Sequence, residues 1–342
     1  MSKQEDEMTD MVIDQRAPDR PKPGKRASLA VRLTRTYRTE IAIAIAIVVL
    51  LVGISFWSPY VLTWGNLANI AQAAAPLILM SLGVFLVIAT SGIALSVGST
   101  FSLTGMVAGL CFSAALPWPL ACLISLGVGL AVGAINGGLV TIVGLAPFVV
   151  TLITYAIGAS LSFVITDGHS IAIADPNFWK LNGGELIPGV TNFVLFCAIA
   201  VIALELVLRK LVVGRWVFAI GSNDKAARLL GIPVHGVRFG VYVASGLAAS
   251  FASLLSLSYI SNSESTAGAN LMLQAIAACV IGGASLFGGT GSAIGAMLGA
   301  IMITVIQNGV NLIGINSFWQ GTVTGAVILV AVLIDRATKV RG

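Results

Sequence analysis

Charged residues are scarce in this chain of 342 amino acids. Only 10% of the residues are Asp, Glu, Lys or Arg, whereas 57% are hydrophobic and the mean hydropathy is +0.97. Soluble proteins carry about 25% charged residues because their surfaces face water. The composition therefore excludes an ordinary soluble domain and predicts a protein whose surface lies largely in lipid.

Sequence patterns of catalysis are also missing. The chain has no GxxxxGK[ST] phosphate-binding loop, and the Gly-rich run from Gly282 to Gly291 lacks the Lys that would reach a phosphate. HExxH and GxSxG do not occur, and neither His169 nor His235 has a second metal ligand at helical spacing. We therefore expect no enzymatic activity, no metal site and no cofactor in this chain.

Lys and Arg residues are concentrated in three segments. Of the 19, nine precede Ile41, six lie between Arg209 and Arg238, and three follow Ile334. Cytoplasmic segments of membrane proteins attract Lys and Arg, so we expect both termini and the 209–238 loop on the cytoplasmic side of a cell inner membrane. Because the basic residues flank apolar runs, the net charge of +5 indicates contact with a lipid bilayer and no nucleic-acid partner.

Apolar runs long enough to cross a bilayer follow one another from residue 41 onward. A spanning helix needs about 20 apolar residues, so the sequence predicts an all-α, polytopic membrane protein with about ten transmembrane helices. Their approximate bounds are 41–58, 67–89, 98–115, 119–142, 146–165, 190–208, 237–257, 271–287, 293–312 and 319–335. The third, eighth and ninth are short and Gly-rich, which leaves open broken or re-entrant helices in the core.

The segments outside the spans are polar. Residues 1–40 are rich in Lys, Arg, Asp, Glu and Pro, and we expect them to form a largely disordered cytoplasmic tail. The transmembrane domain is predicted over 41–335, and residues 336–342 form the cytoplasmic C-terminus. The loop 166–189 then lies outside the cell membrane, where it either meets another protein or is simply solvated.

Glu205 is the exception among the first nine spans, which otherwise contain no Asp or Glu. Arg209 follows four residues later near the predicted cytoplasmic edge, a spacing that predicts a local ion pair. Proton-coupled pumps usually need carboxylates inside the membrane. The sequence therefore argues against a proton-driven mechanism.

Two Gly-rich stretches resemble each other. Residues 91–98 (SGIALSVG) and 282–289 (GGASLFGG) both read small-Gly-x-x-Leu-x-x-Gly, and each precedes another Gly-rich span. Paired Gly-interrupted segments in the two halves of a chain are typical of an internal repeat around a central pathway. Coincidence in a chain rich in Gly, Ala and Leu is the alternative.

The 209–238 loop contains signals for one short helix. Ser222 or Asn223 can cap its first turn, Asp224 suits the positive end of its dipole, and Gly231 can close it as a left-handed cap. A helix of one to two turns is not stable alone. It either docks into a groove of another protein, through Ala226, Ala227, Leu229 and Leu230, or lies on the membrane surface.

Several segments, taken in order, carry a resemblance to a known family. The 214–232 loop resembles the segment of ribose-type sugar ABC permeases that docks onto the ATP-binding subunit. The family's other motifs are matched by Thr90–Ser99 (TSGIALSVGS), Gly133–Leu139 (GAINGGL), Ala146–Leu152 (APFVVTL) and Ala275–Ser292 (AIAACVIGGASLFGGTGS). That family usually has Asp where this chain has Ala94, so no role of a carboxylate at that position is carried over.

The resemblance implies a transport subunit without ATPase activity of its own. Such permeases act in homo- or heteromeric pairs, with ATP-binding cassette subunits inside and a solute-binding protein outside, and they import a small sugar. The implied ATPase-coupling residues are Arg215, Ser222, Asn223, Asp224, Lys225, Ala226, Ala227, Arg228 and Gly231. The implied pathway residues are Gly92, Ser96, Gly98, Ser99, Asn136, Phe148, Thr151, Gln274, Gly283 and Gly289. Movement of the 222–231 helix would open a path between the two permeases by alternating access.

Alternatives remain open at the level of sequence. Neutral polar residues within the spans either line the path or bond neighbouring helices to each other: Asn69, Gln72, Ser96, Ser99, Asn136, Thr151, Gln274, Gln307 and Asn308. Related importers carry branched-chain amino acids or nucleosides rather than sugars. A self-sufficient channel or facilitator would use the same spans without an ATP-binding partner.

Overall fold

The computed structural model describes residues 38–184 and 191–314, together with positions 316, 319, 321–322, 325–326 and 329. The predicted tail up to residue 37, the C-terminus 336–342 and most of the tenth predicted span lie outside these residues. Within them the chain forms the following helices: α1 Arg38–Ser55, α2 Trp64–Ala89, α3 Val97–Ser113, α4 Trp118–Thr141, α5 Pro147–Val164, α6 Pro176–Gly183, α7 Asn192–Lys210, α8 Val212–Ser222, α9 Asp224–Leu229, α10 Val234–Ile260, α11 Ala267–Ile281 and α12 Ala293–Leu312. Two short strands, β1 Ile171–Ala172 and β2 Asn262–Ser263, complete the described fold.

The predicted all-α, polytopic membrane architecture is confirmed. Helices α2, α4, α5, α7, α10 and α12 are long and apolar enough to cross a membrane, and the shorter apolar helices α1, α3 and α11 occupy the first, third and eighth predicted spans. The ninth predicted span is an unbroken helix of 20 residues. The eighth ends at Ile281 and not at 287, because Gly283 takes a left-handed backbone conformation (φ +85°) that stops the helix.

Helices α2 and α10 form the centre of the bundle. The middle and C-terminal half of α2 is buried almost continuously, with Met80 and Phe85 fully enclosed. Helices α4 and α10 approach so closely that a Cβ on Gly133 would lie 2.6 Å from the Tyr242 carbonyl oxygen. Small residues permit this contact, which is how helices pack tightly where lipid supplies no hydrophobic driving force.

The two ends of the bundle are defined by different contacts. At one end β1 pairs antiparallel with β2, with Ile171 opposite Ser263, and Ser258 Oγ donates to the Phe178 carbonyl of α6 at 2.8 Å. We call this the ribbon end. At the other end the C-terminus of α2 meets α8, and α9 follows directly; we call this the α9 end. The predicted outer loop 166–189 therefore includes a helix, α6, whose Phe178 is fully buried.

The predicted 209–238 loop is largely helical. Helix α7 continues to Lys210, the chain turns at Leu211, and α8 occupies residues 212–222 before α9 begins. Helix α10 then starts at Val234. Only the short helix α9 was predicted from the sequence; α8 was missed because its apolar residues continue the hydropathy of the preceding span.

Candidate functional site

Helix α9 is closed at both ends by the predicted residues. The Asn223 side chain accepts a hydrogen bond from the Ala226 N–H at 3.0 Å, so Asn223 and not Ser222 is the N-cap. At the other end Gly231 has φ +76°, the Ile232 N–H donates to the Ala227 carbonyl, and the Gly231 N–H donates to the Arg228 carbonyl. This pair of bonds is the Schellman arrangement, and it stops the helix after six residues.

Asp224 connects α9 to the neighbouring helices. Its carboxylate lies 3.2 Å from Nε of Arg228 and 3.3 Å from Nη1 of Arg238 at the start of α10. A second nitrogen of Arg238 donates to the Thr90 carbonyl at 3.5 Å, just after α2 ends. These partly exposed pairs add little stability individually. Together they fix the orientation of α9 relative to α2 and α10.

His235 forms a second connection from α9. Its Nδ1 lies 2.8 Å from the Thr141 carbonyl oxygen at the end of α4, and its Nε2 lies 3.0 Å from Nη1 of Arg228. A guanidinium only donates, so Nε2 is the acceptor and Nδ1 carries the proton that Thr141 accepts. The His235 ring therefore joins α9 to α4.

The outward surface of α9 is apolar and basic. Leu229 and Leu230 are 89% and 79% exposed, and Lys225 and Arg228 are exposed beside them. Arg215 is exposed on α8. Ala227, which the sequence analysis placed in the docking surface, is only 2% exposed and packs into the core of this chain. Ala227 is therefore removed from the candidate contact surface, because the helix turns it inward.

Backbone segments meet without intervening side chains just before α9. The Gly289 N–H donates to the Ala89 carbonyl at 3.1 Å, and a Cβ on Gly221 would lie 1.9 Å from that same oxygen. The Ser91 hydroxyl lies 2.8 Å from the Gly221 carbonyl oxygen and 2.6 Å from that of Phe287. We call this contact of residues 89–91, 221–222 and 287–289 the glycine junction. It brings the two similar Gly-rich stretches together.

A buried polar cluster lies between α2 and α3, where residues 90–96 are not helical. Asn136 of α4 donates from Nδ2 to the Ser96 hydroxyl at 2.8 Å, and its Oδ1 is buried with no hydrogen-bond partner in the described part of the chain. Thr151 of α5 lies 3.2 Å from the Ile93 carbonyl oxygen. Ser99 is buried and its hydroxyl lies 3.4 Å from the Thr154 carbonyl oxygen of α5. Four predicted pathway residues are thus brought together.

The other predicted pathway residues are dispersed. Gly92 and Gly98 are buried in or beside the 90–96 segment, Phe148 is about half exposed on α5, and Gln274 is half-buried on α11. Gly289 belongs to the glycine junction, and Gly283 faces Thr39 at the same end. These two glycines are therefore separated from the Asn136 cluster, and their place is beside α9.

The remaining polar candidates differ in their surroundings. Asn66 and Asn308 exchange hydrogen bonds at 3.1 and 2.9 Å, which joins α2 to α12. Asn69 is exposed and Gln72 is half-buried. Gln307 Nε2 is buried, and none of the described residues forms a hydrogen bond with it. For Asn308, helix-to-helix bonding is therefore the observed role.

The ion pair predicted for Glu205 is present and has an additional partner. Arg209 Nε contacts one carboxylate oxygen of Glu205, and the other accepts the Ala293 N–H at 2.9 Å. The Ser292 hydroxyl beside it donates to Glu40 of α1 at 2.7 Å. Both carboxylates lie at the positive end of the α12 dipole. The sequence showed the i,i+4 spacing but gave no signal for the two long-range contacts.

Several residues at the α9 end were missed by sequence reasoning. Arg238 entered the sequence analysis only as one of the basic residues of the 209–238 loop, and His235 only as a histidine without a second metal ligand. Ser91 entered it only as a small residue of the 91–98 stretch. Phe287 was quoted within a signature and given no role, although it is 87% exposed at the glycine junction. An aromatic residue between four glycines was the available signal for Phe287.

Comparison with known proteins gives a consistent result. The family model described as "Branched-chain amino acid transport system / permease component" matches residues 66–332. A probable ABC transporter permease protein of Sinorhizobium fredii is 60% identical over 98% of this chain and 99% of its own length. The ribose import permease of Escherichia coli (strain K12) is 36% identical over 88% of this chain and 95% of its own.

A third relative extends the range of named substrates. The D-allose transport system permease of Escherichia coli (strain K12) is 34% identical over 85% of this chain and 89% of its own length. No solved structure matches the chain. The family model covers most of the sequence, and the relatives are covered almost completely. The chain therefore belongs to the ABC transporter permease family that includes the ribose import permeases.

Proposed function

We propose that this chain forms the translocation pathway of an importer for a small sugar. It acts as one of two permease subunits in the inner membrane, with both termini cytoplasmic. A solute-binding protein delivers the sugar at the ribbon end, and a separate ATP-binding cassette subunit drives transport from the α9 end. The relatives named for ribose and D-allose support a sugar as the solute rather than a branched-chain amino acid or nucleoside.

The observation that carries the coupling part of the proposal is helix α9. A six-residue helix cannot be stable alone, yet this one has capping at both ends and projects Leu229 and Leu230 away from the chain. Lys225 and Arg228 surround these leucines with positive charge. This combination fits a groove with an apolar floor and acidic walls on a partner protein.

The connections of α9 supply a route for movement. Asp224 links it through Arg238 to the end of α2, and Arg228 links it through His235 to the end of α4. Helix α4 carries Asn136, which contacts the broken segment at Ser96. A rigid shift of α9 would therefore change the position of the helices that hold the buried polar cluster.

The lining of the pathway is proposed to lie largely between two permease subunits. The hydroxyls of Thr151 and Ser99 lie close to backbone carbonyls of this chain, so their protons are already used and only oxygen lone pairs remain to accept hydrogen bonds from a sugar. By contrast, α5 exposes a broad face that includes Phe148 and Leu152. Covering that face with a second permease would enclose a path next to the Asn136 cluster.

The test is uptake of radiolabelled D-ribose and D-allose by liposomes containing the chain with its ATP-binding subunit and solute-binding protein. Uptake is expected only with ATP inside and all components present. Asp224→Ala and Arg228→Ala should lower uptake at least fivefold while the protein still inserts, and Val49→Ala, on the exposed face in the middle of α1, should not. Uptake by the chain alone without ATP would instead identify a facilitator. Normal uptake by both α9 variants would refute the docking assignment.

A further inference from the structure

The turn that follows α11 presents an aromatic side chain next to α9. Phe287 is 87% exposed, and Leu286 beside it is about half exposed. The chain around them supplies three glycines with positive φ, Gly283, Gly288 and Gly289. Such a turn needs no aromatic residue in order to fold, and Leu286 and Phe287 together form an exposed apolar patch of the kind found at interaction sites.

The backbone of this turn is held firmly. The Gly288 N–H donates to the Ser285 carbonyl at 2.9 Å, and the Ser285 N–H donates to the Thr290 carbonyl at 3.3 Å. The Phe287 carbonyl oxygen lies 2.6 Å from the Ser91 hydroxyl. The ring is thus carried on a fixed backbone. A group held in this way loses little conformational entropy on binding.

The turn and α9 belong to one continuous surface. Ser91 reaches both the Phe287 carbonyl and the Gly221 carbonyl, and a Cβ on Gly289 would lie 2.5 Å from the Ser222 hydroxyl. Asn223, the N-cap of α9, follows immediately. A protein that covers α9 therefore extends directly onto the turn.

We propose that Leu286 and Phe287 form a second docking point for the ATP-binding subunit, beside α9. The inference rests on the proposed function and adds an element from the second half of the chain to the contact. Phe287 would enter an apolar pocket at the edge of the groove that receives Leu229 and Leu230. Exposed Lys225 and Arg228 lie on α9 of the same surface, which favours a water-facing protein contact over burial in lipid.

This arrangement has a mechanical consequence for transport. The partner would hold both sides of the glycine junction, with α9 on one side and the 285–290 turn on the other. A movement of the partner then acts on the ends of α2, α8 and α11 together. Two-point attachment also transmits rotation, which one short helix transmits poorly.

The experiment uses single cysteines labelled with a maleimide benzophenone in the assembled transporter. The background carries Cys122→Ser, since Cys122 is half-buried and the other three cysteines are buried. Leu229→Cys and Phe287→Cys are both expected to cross-link to the ATP-binding subunit. Phe56→Cys is the matched control. Phe56 is 84% exposed and follows the C-terminus of α1, the end of that helix far from α9. It should give no cross-link to the ATP-binding subunit.

The outcomes separate the two proposals. A cross-link from position 229 but none from 287, or only lipid adducts from 287, overturns the second docking point and leaves the proposed function intact. No cross-link from either position overturns the docking of an ATP-binding subunit at this end. Phe287→Ala is also expected to weaken binding of the purified ATP-binding subunit about tenfold or more, whereas Phe287→Leu retains most of the affinity. Unchanged binding by Phe287→Ala would contradict the proposal.

Discussion

The carboxylate of Glu205 accepts a hydrogen bond from the backbone N–H of Ala293, 88 residues later, at 2.9 Å. The contact fixes the C-terminal part of α7 against the first turn of α12, where unpaired N–H groups and the helix dipole both attract an anion. A pair recognised in the sequence as a local salt bridge is thus also a bond between distant helices.

Glu205→Ala is expected to lower stability by about 1.5–3 kcal/mol, the usual contribution of a buried hydrogen bond to a charged group. Thermal denaturation of the purified protein in detergent, followed by size-exclusion chromatography, measures the loss. Glu264→Ala provides a control, because Glu264 is exposed at the ribbon end. Equal thermal denaturation midpoints for the two variants would show that the contact of Glu205 with Ala293 contributes nothing to stability.

Gly221→Ala is expected to disrupt the glycine junction. Its Cβ would lie 1.9 Å from the Ala89 carbonyl oxygen and 2.5 Å from the Gly289 nitrogen, so backbone segments must separate. We expect loss of folded protein or a fall of several degrees in the melting temperature, together with loss of ATP-driven uptake. Gly236→Ala in α10 is the matched control, since a Cβ there meets nothing within 4 Å. A fully stable, active Gly221→Ala transporter would contradict the geometry of the junction.

His235→Ala is expected to uncouple ATP hydrolysis from transport. The imidazole is the link between Arg228 on α9 and Thr141 on α4, so its loss should lower the sugar transported per ATP severalfold while the complex still hydrolyses ATP. The ratio of uptake to phosphate release in liposomes measures this. His169→Ala, which alters the exposed histidine near the ribbon end, should leave the ratio unchanged. An unchanged ratio of uptake to phosphate release in His235→Ala would contradict a coupling role for His235.

Asn136 is expected to respond differently to two substitutions. Asn136→Ala removes one interhelical hydrogen bond and also the buried, unpaired Oδ1, so it should cost only about 0.6–1 kcal/mol. Asn136→Asp buries a carboxylate beside the neutral Ser96 hydroxyl, its hydrogen-bond partner among the described residues, and should cost considerably more. Thermal denaturation of both variants in detergent gives the comparison. A more stable Asp variant would show that a charge is tolerated in this cluster.

Local signals in the sequence predicted local structure well. Hydropathy located nine of the predicted spans as helices, and the Asn223 cap with Gly231 located α9 almost to the residue. These features depend on neighbours within a few positions, which a single sequence displays directly. Helix α6 had a comparable signal in Asp175 followed by Pro176, because Asp caps and Pro starts helices.

Contacts between distant segments could not be predicted in the same way. The bond of Asn136 to Ser96, the meeting of Ser91 with Gly221 and Phe287, and the pairing of β1 with β2 all depend on how helices pack. Small residues occur throughout this chain, so their presence does not indicate which of them will touch. Ala227 illustrates the same limit, since its side of α9 became identifiable only from the packed structure.

The β1–β2 ribbon joins the connection that follows α5 to the one that follows α10, so the two halves of the chain are tied at one end of the bundle. The glycine junction ties them at the other. A bundle fastened at both extremities resists splitting along its length. Under the proposed function, the helices that hold the buried polar cluster would then shift together with both ties intact, and the two halves of the chain would not come apart.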